Sequence, residues 1–352
     1  MMLEVAADPA GKGPEDTLMH AEAREAGEAS ARFLANNAET LKRIAARLRA
    51  SRPTMVVTCG RGSSDHAATF GKYLFETLIG VPTASAALSV ASVFSAPLSA
   101  NGALCIAISQ SGRSPDLLRT VESYKAAGAF VVALVNDAAS PLAELADERL
   151  PLHAGPEHSV AATKSYIASL VGLAALAAHW AHDDALLAAI ARLPVDLPRA
   201  FALDWSAAMP MLADARNLFV MGRGYSLAVA QEAALKLKET SGLHAEAFSS
   251  AEVRHGPMAI VQPGFPLLAF ATSDKAGDDV RAAASEFEAR DALVAMADAR
   301  DPAGTLPTFG SHPAVEPILM IQSFYRFVNM LSRARGYDPD TPPHLKKVTQ
   351  TI

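Results

Sequence analysis

The chain carries two copies of one local pattern, and this repeat restricts its fold more than any other feature. MVVTCGRGSS begins at position 55 and NLFVMGRGYS at position 217; in both, a short apolar run leads into Gly-Arg-Gly and then serine. KYLFET at 72 is echoed by LKLKET at 235, and LCIAISQS at 104 by LLAFATSD at 267. A nearly constant offset over three segments indicates an internal duplication.

Short apolar runs alternate with helical patterns along both copies. MVVTC, ALCIAIS and FVVALVN have the length and β-branched content of buried strands. Residues 17–50 and 66–79 place apolar side chains three and four apart, which predicts helices. The fold class is therefore predicted to be α/β: two tandem domains, each a doubly wound parallel sheet flanked by helices, as in flavodoxin-like folds.

The length of 352 residues fits two domains at roughly 150 residues each. We expect a flexible lead-in at 1–16, the N-terminal helix and first domain at 17–195, the second domain at 196–335, and a C-terminal tail at 336–352 that docks at the active site. LPVDLPRAFA, with two prolines within five residues, is interpreted as the connector between the domains.

Composition and charge exclude several classes of partner. The net charge is −6, so no basic surface is available for nucleic acid. The longest apolar stretch, Leu170 to Ala178, is too short to span a membrane, and no signal pattern opens the chain, so a cytoplasmic location is expected.

Cys59 and Cys105 lie in apolar runs and are interpreted as buried strand residues, not as members of a disulfide or as metal ligands.

Serine-rich loops follow two of the predicted strands. SQSGRS at 109–114 ends a strand and opens a helix, where free N–H groups, hydroxyls and a glycine can surround a monophosphate. The alternative is a simple N-cap by Ser109 or Ser111 with Pro115 in the first turn, but that does not require three serines, a glutamine and a glycine together. GRGSS at 60–64 follows another predicted strand and is expected to lie at the same edge of the sheet.

The second copy has Thr-Ser-Asp at 272–274 in the place of the SQSGRS loop. The aspartate would repel a phosphate, so only one copy is expected to bind phosphate.

Acidic and basic residues suited to proton transfer occur in the second copy. Glu232, Lys236 and Glu239 are spaced four and three apart and share a helix face. Such a stripe is usually a solvated ion-pair surface. Here the flanking sequence is mostly apolar, which favours burial and altered protonation. His255 and Lys347, taken alone, are more typical of structural or solvated residues.

Six segments in order resemble the sugar isomerase (SIS) domain family: CGRGSS, ISQSGRSPD, EHSVAATKS, GRGYSLAVAQEAALKLKETSGLHAEAF, EVRHGP and LKKVT. Within it, they are most similar to the isomerase half of glutamine–fructose-6-phosphate aminotransferase, over about residues 17 to 352. The resemblance implies a sugar-phosphate substrate and a homodimer with a shared active site. The residues implied to bind the phosphate are Ser63, Ser64, Ser109, Gln110, Ser111 and Ser114.

The same resemblance implies roles around the sugar. Backbone groups of Val160, Ala161, Ala162 and Thr163 would contact it. Glu239 would move a proton between C1 and C2, with Lys236 one turn before it. His255 would assist ring opening, often from the partner subunit. Lys347 would form an imine with the keto sugar, although LKKVT leaves Lys346 as an alternative.

No glutaminase segment with its nucleophilic cysteine precedes these motifs, so glutamine-derived ammonia is not expected. GRGSSDHAATF, SQSGRSPD and GPEHSVAATKS resemble the SIS-type glucosamine-6-phosphate deaminase, and the expected reaction yields fructose 6-phosphate and ammonia. No metal or redox cofactor is expected, because the imine itself acidifies the C–H bond. The alternatives are a fructosamine-phosphate deglycase, an aldose–ketose sugar-phosphate isomerase, or a non-catalytic sugar-phosphate sensor.

Overall fold

The structure, a computed structural model, describes residues 13–347 and divides into two compact units. The first unit comprises Glu28–Glu157, Lys164–Pro194 and, at the end of the described residues, Lys346 and Lys347. The second comprises residues 13–27, the short segment His158–Thr163, and Val195–Leu345. Among residues 13–347, no helix is both long and apolar enough to cross a bilayer.

The first unit is built on a five-stranded sheet in the order β2-β1-β3-β4-β5, and its strands pair in parallel. Every residue of the first and third strands is buried, as their apolar composition predicts. Cys59 and Cys105 are both fully buried strand residues, with their Sγ atoms 3.9 Å apart. The strands are β1 (Val56–Cys59), β2 (Thr83–Ser85), β3 (Leu104–Ser109), β4 (Phe130–Val135) and β5 (Glu148–Pro151).

The second unit is built on a four-stranded parallel sheet in the order β7-β6-β8-β9. Its strands are β6 (Asn217–Gly222), β7 (His244–Ser249), β8 (Pro266–Ala271) and β9 (Leu293–Asp298). The duplication extends to backbone angles: Gly62 after β1 has φ 54° and ψ −129°, and Gly224 after β6 has φ 59° and ψ −128°. Two parallel sheets flanked by helices confirm the predicted α/β class.

Helices cover these sheets and connect their strands. Helix α7 is apolar on all sides, as the burial of nearly its whole length requires. A π-helical turn at Phe75–Ile79 follows α3, and short 3₁₀ helices occur at Glu252–Arg254 and Pro257–Ile260. The α-helices are α1 (Leu18–Arg24), α2 (Ala26–Ala50), α3 (Ser63–Leu74), α4 (Ser89–Ser92), α5 (Pro115–Ala126), α6 (Pro141–Leu145), α7 (Lys164–Ala181), α8 (Asp184–Phe201), α9 (Met209–Leu212), α10 (Tyr225–Ser241), α11 (Lys275–Glu288) and α12 (Glu316–Ala334).

The single helix predicted at 17–50 is in fact two helices, α1 and α2, separated at Glu25. Long-range hydrogen bonds hold the helix on the N-terminal side of the break. In the second unit, Gln322 Nε2 donates to the carbonyl of Ala23 at 2.9 Å, and Thr17 Oγ1 donates to Asn329 Oδ1 at 2.6 Å. Helix α1 thus belongs to the second unit, whereas nearly all of α2 belongs to the first.

LPVDLPRAFA, interpreted as the connector between the domains, lies almost entirely within α8, which continues through both prolines. Each proline lacks an N–H donor and costs the helix a hydrogen bond. Leu186, Ile190, Leu193 and Leu197 are buried at spacings of four, three and four. Burial of this continuous apolar face outweighs the missing hydrogen bonds.

Candidate active site

The two serine-rich loops of the first unit meet at one edge of its sheet. Because β1 and β3 are parallel neighbours, the loops that follow them leave from adjacent carboxyl ends. An ion pair joins the first loop to the start of α5, the helix that follows the second loop: Arg61 Nε and Nη2 donate to Asp116 Oδ2 at 2.9 and 2.7 Å. The structure therefore brings together the two loops that carry all six residues predicted to bind phosphate.

The residues before the helices that begin at these loops, Gly62 and Ser114, make no side-chain capping bond to α3 and α5. In the first turn of α5, Asp116 Oδ1 accepts from the N–H of Leu117 at 2.8 Å. Ser109 Oγ instead accepts from the N–H of Gly112 at 2.9 Å, inside the loop. Among residues 13–347, the hydroxyls of Ser64 and Ser111 have no hydrogen-bond partner. Two uncapped helix N-termini with hydroxyls beside them can bind an anion.

We expect Gly112→Ala to damage the second of these loops. Gly112 has φ +64°, and a Cβ there would overlap the buried Ser140 Oγ. Strain and overlap together should destabilise the fold by about 1–3 kcal/mol and weaken phosphate binding. Gly62→Ala is the matched control, since Gly62 also has positive φ but no atom within 4 Å of the added Cβ. Urea unfolding of both variants should show a larger loss for Gly112→Ala; equal losses would contradict the overlap.

The corresponding loop of the second unit is filled by its own carboxylates. Asp274 Oδ1 accepts from the N–H groups of Ala276 and Gly277, both at 3.1 Å, at the start of α11. Glu316 Oε2 accepts from the N–H of Ser273 at 2.7 Å. Burial raises the pKa of Glu316 above its usual range. The position that would receive a phosphate in the first unit is thus occupied by protein oxygens in the second.

The predicted acid–base stripe on α10 is a buried cluster rather than a solvated surface. Lys236 Nζ lies 2.6 Å from Glu239 Oε2 and 3.4 Å from Glu232 Oε1. The side chains of Lys236 and Glu232 are 1% and 0% exposed, whereas that of Glu239 is 20% exposed. Tyr325 Oη donates to Glu232 at 3.2 Å. Of the two carboxylates beside Lys236, Glu239 is therefore the one that a solute can reach.

Lys236 keeps its proton. Burial alone would lower the pKa of Lys236, but the charges of Glu232 and then Glu239, with their hydrogen bonds, outweigh it and raise that pKa well above the usual range. The side chain is suited to supplying a fixed positive charge next to Glu239. It is poorly suited to the proton transfer that the sequence pattern had suggested for a buried lysine.

His255 lies on an exposed turn of the second unit. It follows the 3₁₀ helix at Glu252–Arg254 and precedes Gly256, whose φ of +131° suits only glycine. Within residues 13–347, no hydrogen bond or ion pair joins His255 to Lys236 or Glu239. The structure therefore places His255 on a separate surface element of the unit that carries Glu239.

The segment with Val160 and Ala161 is held by two acidic residues of the second unit. The carboxylate of Glu22 on α1 accepts from the N–H groups of His158 and Ser159, the latter at 3.2 Å. The backbone carbonyl of Asp340 accepts from the N–H of Val160 at 3.2 Å. Ala161 is buried, while Val160 is partly exposed. These bonds fix the backbone of a short segment, which is what a contact between that backbone and a sugar would need.

Lys347 and Lys346 differ in their surroundings in the first unit. Lys347 Nζ lies 3.3 Å from Glu157 Oε2, and the side chain of Glu157 is fully buried. Glu157 also accepts from the N–H and the hydroxyl of Ser165, at 3.1 and 2.6 Å. Lys346 is exposed. Of the two candidate lysines, the structure ties Lys347 to the protein; the rest of the predicted docking tail, from position 348, lies outside the described residues.

Two features of the site were missed from sequence. Glu157 lies in the segment EHSVAATKS. Its carboxylate just before an apolar stretch was the sequence feature that could have identified it. The Arg61–Asp116 pair recurs as Arg223–Asp279, with Nη1 2.7 Å from Oδ2. Aligning the two copies beyond their glycines would have revealed this pair, because both its members repeat at nearly the same offset.

Known proteins share this architecture. The family model of the SIS domain matches residues 51–179 and 211–300. A glutamine–fructose-6-phosphate aminotransferase of Aeropyrum pernix is 34% identical over 82% of this chain and 50% of its own length. The chain thus spans about half the length of the curated relatives it matches. A candidate phosphosugar isomerase from Silicibacter pomeroyi is 44% identical in structure-based comparison, with a TM-score of 0.87 over 92% of this chain and 100% of that chain.

A more distant solved structure has the same fold. Glucosamine-6-phosphate deaminase from Thermotoga maritima is 22% identical, with a TM-score of 0.75 over 95% of this chain and 100% of that chain. The two segments matched by the SIS model, 51–179 and 211–300, contain the two parallel sheets and the loops at their strand ends. The chain belongs to the SIS domain family.

Proposed function

We propose that this chain is a sugar-phosphate enzyme that converts glucosamine 6-phosphate and water to fructose 6-phosphate and ammonia. The observation that carries the proposal is the pairing of a buried, charged Lys236 with the partly exposed Glu239 at 2.6 Å. A carboxylate held beside a fixed cation is ready to accept and return a proton. A non-catalytic sensor would have no need of such a pair.

The proposed phosphate site is the pair of serine loops in the first unit. Their uncapped helix N-termini and hydroxyls supply donors for the three terminal oxygens of a phosphate monoester. The match to the SIS family and the likeness to a candidate phosphosugar isomerase support this assignment. In this proposal backbone groups of Val160 and Ala161 contact the sugar. The phosphate is bound by Ser63, Ser64, Ser109, Gln110, Ser111 and Ser114.

The proposed reaction runs through the open-chain sugar. His255 transfers a proton as the C1–O5 bond breaks, leaving an aldehyde at C1 and the amine at C2. Glu239 takes the proton from C2 and returns it to C1, while a second proton passes from the C2 amine to the C1 oxygen; the product has a hydroxymethyl group at C1 and an imine at C2. Water then adds to C2, and ammonia leaves as the ketone forms. Lys347, held by Glu157, contacts the sugar at the carbonyl end.

An endpoint assay tests the proposal directly. Purified protein is incubated with glucosamine 6-phosphate, without glutamine, and ammonia and fructose 6-phosphate are measured together. Equal release of both products is expected. Parallel reactions contain a fructosamine phosphate or fructose 6-phosphate alone, to detect deglycase or aldose–ketose isomerase activity.

The outcomes separate the candidate functions. Ammonia and fructose 6-phosphate in equal amounts support the deaminase. Products from the fructosamine phosphate only would replace it with a deglycase, and interconversion of aldose and ketose phosphates without ammonia would indicate an isomerase. Binding of sugar phosphate in calorimetry with no turnover of any of these compounds would reject an enzyme of this type and favour a sensor.

A further inference from the structure

The guanidinium of Arg254 joins the turn that carries His255 to helix α11. Its Nε and Nη2 donate to Glu286 Oε1 at 3.0 and 2.8 Å, and its Nη1 donates to Asp279 Oδ1 at 3.2 Å. Nη1 also donates to the carbonyl of Ser250 at 2.8 Å, four residues earlier in the chain. The Arg254 side chain therefore bonds a carbonyl within its own turn and two carboxylates of α11.

Asp279 is shared by further donors of the second unit. Its Oδ2 accepts from Ser250 Oγ and from Arg223 Nη1, the latter at 2.7 Å. The carboxylate thus links the loop after β6 and the loop after β7 to α11. A planar guanidinium that donates to carboxylates through several N–H groups allows only a narrow range of arrangements. A lysine ammonium in the same place would not restrict the geometry in this way.

Little else determines where the His255 side chain points. Across residues 13–347 the imidazole makes no hydrogen bond or ion pair, and it is exposed. The backbone around it is a pair of short 3₁₀ helices joined by His255 and Gly256, with His255 N donating to the carbonyl of Glu252 at 2.9 Å. The direction of the imidazole therefore depends on this backbone, which the neighbouring Arg254 anchors.

We propose that Arg254 is a positioning residue: clamped by Asp279 and Glu286, it fixes the turn that presents His255 to the sugar. This inference rests on the proposed role of His255 in ring opening. Arg254 itself does not touch the substrate in this arrangement. Displacement of a catalytic group by about 1 Å can cost roughly a hundredfold in rate, so loss of the clamp should reduce kcat more than substrate affinity.

Hydrogen exchange tests the clamp without reference to activity. Exchange of the backbone amides of Arg254, His255 and Ala259 is compared among the wild type, Arg254→Gln and Arg254→Lys. Arg300→Gln is the matched control, because Arg300 pairs with Asp278 on the same helix and, in the part of the chain that the structure describes, makes no hydrogen bond to the turn. Arg254→Gln should exchange about tenfold faster or more, Arg254→Lys should be intermediate, and Arg300→Gln should match the wild type at these amides. Unchanged exchange in Arg254→Gln would overturn the clamp.

A double-mutant cycle with His255→Asn tests the positioning role. Arg254→Gln should lower kcat about tenfold to a hundredfold with little change in KM, and should lower the residual rate of His255→Asn no further. Arg254→Lys should recover part of the rate. An equal loss in both backgrounds would mean that Arg254 acts on the fold in general, and would reject positioning. Full activity of His255→Asn, with faster exchange in Arg254→Gln, would place the failure in the proposed function rather than in the clamp.

Discussion

Replacement of Glu239 by glutamine is expected to lower turnover of glucosamine 6-phosphate by about a hundredfold to ten-thousandfold. The amide has the same shape and can still accept a hydrogen bond from Lys236, but it cannot take a proton from C2. Because the serine loops are unchanged, binding of fructose 6-phosphate should stay near that of the wild type. Initial rates and calorimetry on the same preparation measure the two effects.

Lys238→Gln is the matched control for that variant. Lys238 is the neighbour of Glu239 on α10 but is exposed, and it is not part of the buried cluster. Its replacement should leave both rate and binding close to those of the wild type. Turnover by Glu239→Gln within tenfold of the wild type would remove Glu239 from the role of base, and lost binding would assign it to substrate contact instead.

Replacement of Lys236 by methionine should give the largest loss of stability. The change leaves the fully buried Glu232 without its cation, and removing one partner of a buried ion pair typically costs about 3–5 kcal/mol. Urea unfolding monitored by circular dichroism measures the free energy of unfolding. A loss below about 1 kcal/mol would show that Glu232 finds other compensation.

The double variant Glu232→Gln/Lys236→Met provides the control, because it removes the buried charge along with its partner. It should recover part of the stability that Lys236→Met loses. The pKa of Lys236 is raised in the folded protein, so its contribution is complete below the unfolded value of about 10.4 and is lost only as pH rises through the higher folded value. The stabilisation that charged Lys236 gives the wild type should therefore not change from about pH 6 to 9. In Lys236→Met the buried, unpaired Glu232 favours its neutral form, so the stability lost by that variant should increase as pH rises.

The repeat and its apolar strands made the fold class predictable, because parallel buried strands need continuous apolar sequence and leave it visible. The course of the helices was less predictable. The helix before the break at Glu25 is held by Gln322 and Asn329, about 300 residues away in sequence, and such contacts cannot be predicted from the local pattern. The persistence of α8 through Pro194 and Pro198 likewise depends on burial of one helix face, which local proline rules do not take into account.

The candidate site, too, was predictable from sequence only in part. Residue spacing placed Glu232, Lys236 and Glu239 on one face, and the apolar flanks indicated burial, as the structure shows. Residue spacing could not predict that Lys236 stays protonated, because its pKa depends on the distances from its Nζ to two carboxylates. Glu157 and Arg254 were missed because the charged partners that they bond, Lys347 for Glu157 and Asp279 and Glu286 for Arg254, lie 25 to 190 residues further along the chain.

Asp274 and Glu316 give the second unit permanent internal acceptor oxygens at the loop where the first unit has serines instead. A dissociable ligand stabilises a fold only in proportion to its concentration relative to its dissociation constant, whereas a tethered carboxylate acts at a high effective concentration at all times. We therefore expect thermal protection by inorganic phosphate or sugar phosphate to follow one site per chain, despite the two copies. In a cell depleted of sugar phosphates, the first unit would be the part whose resistance to proteolysis falls, while the loop of the second unit keeps its own acceptor oxygens.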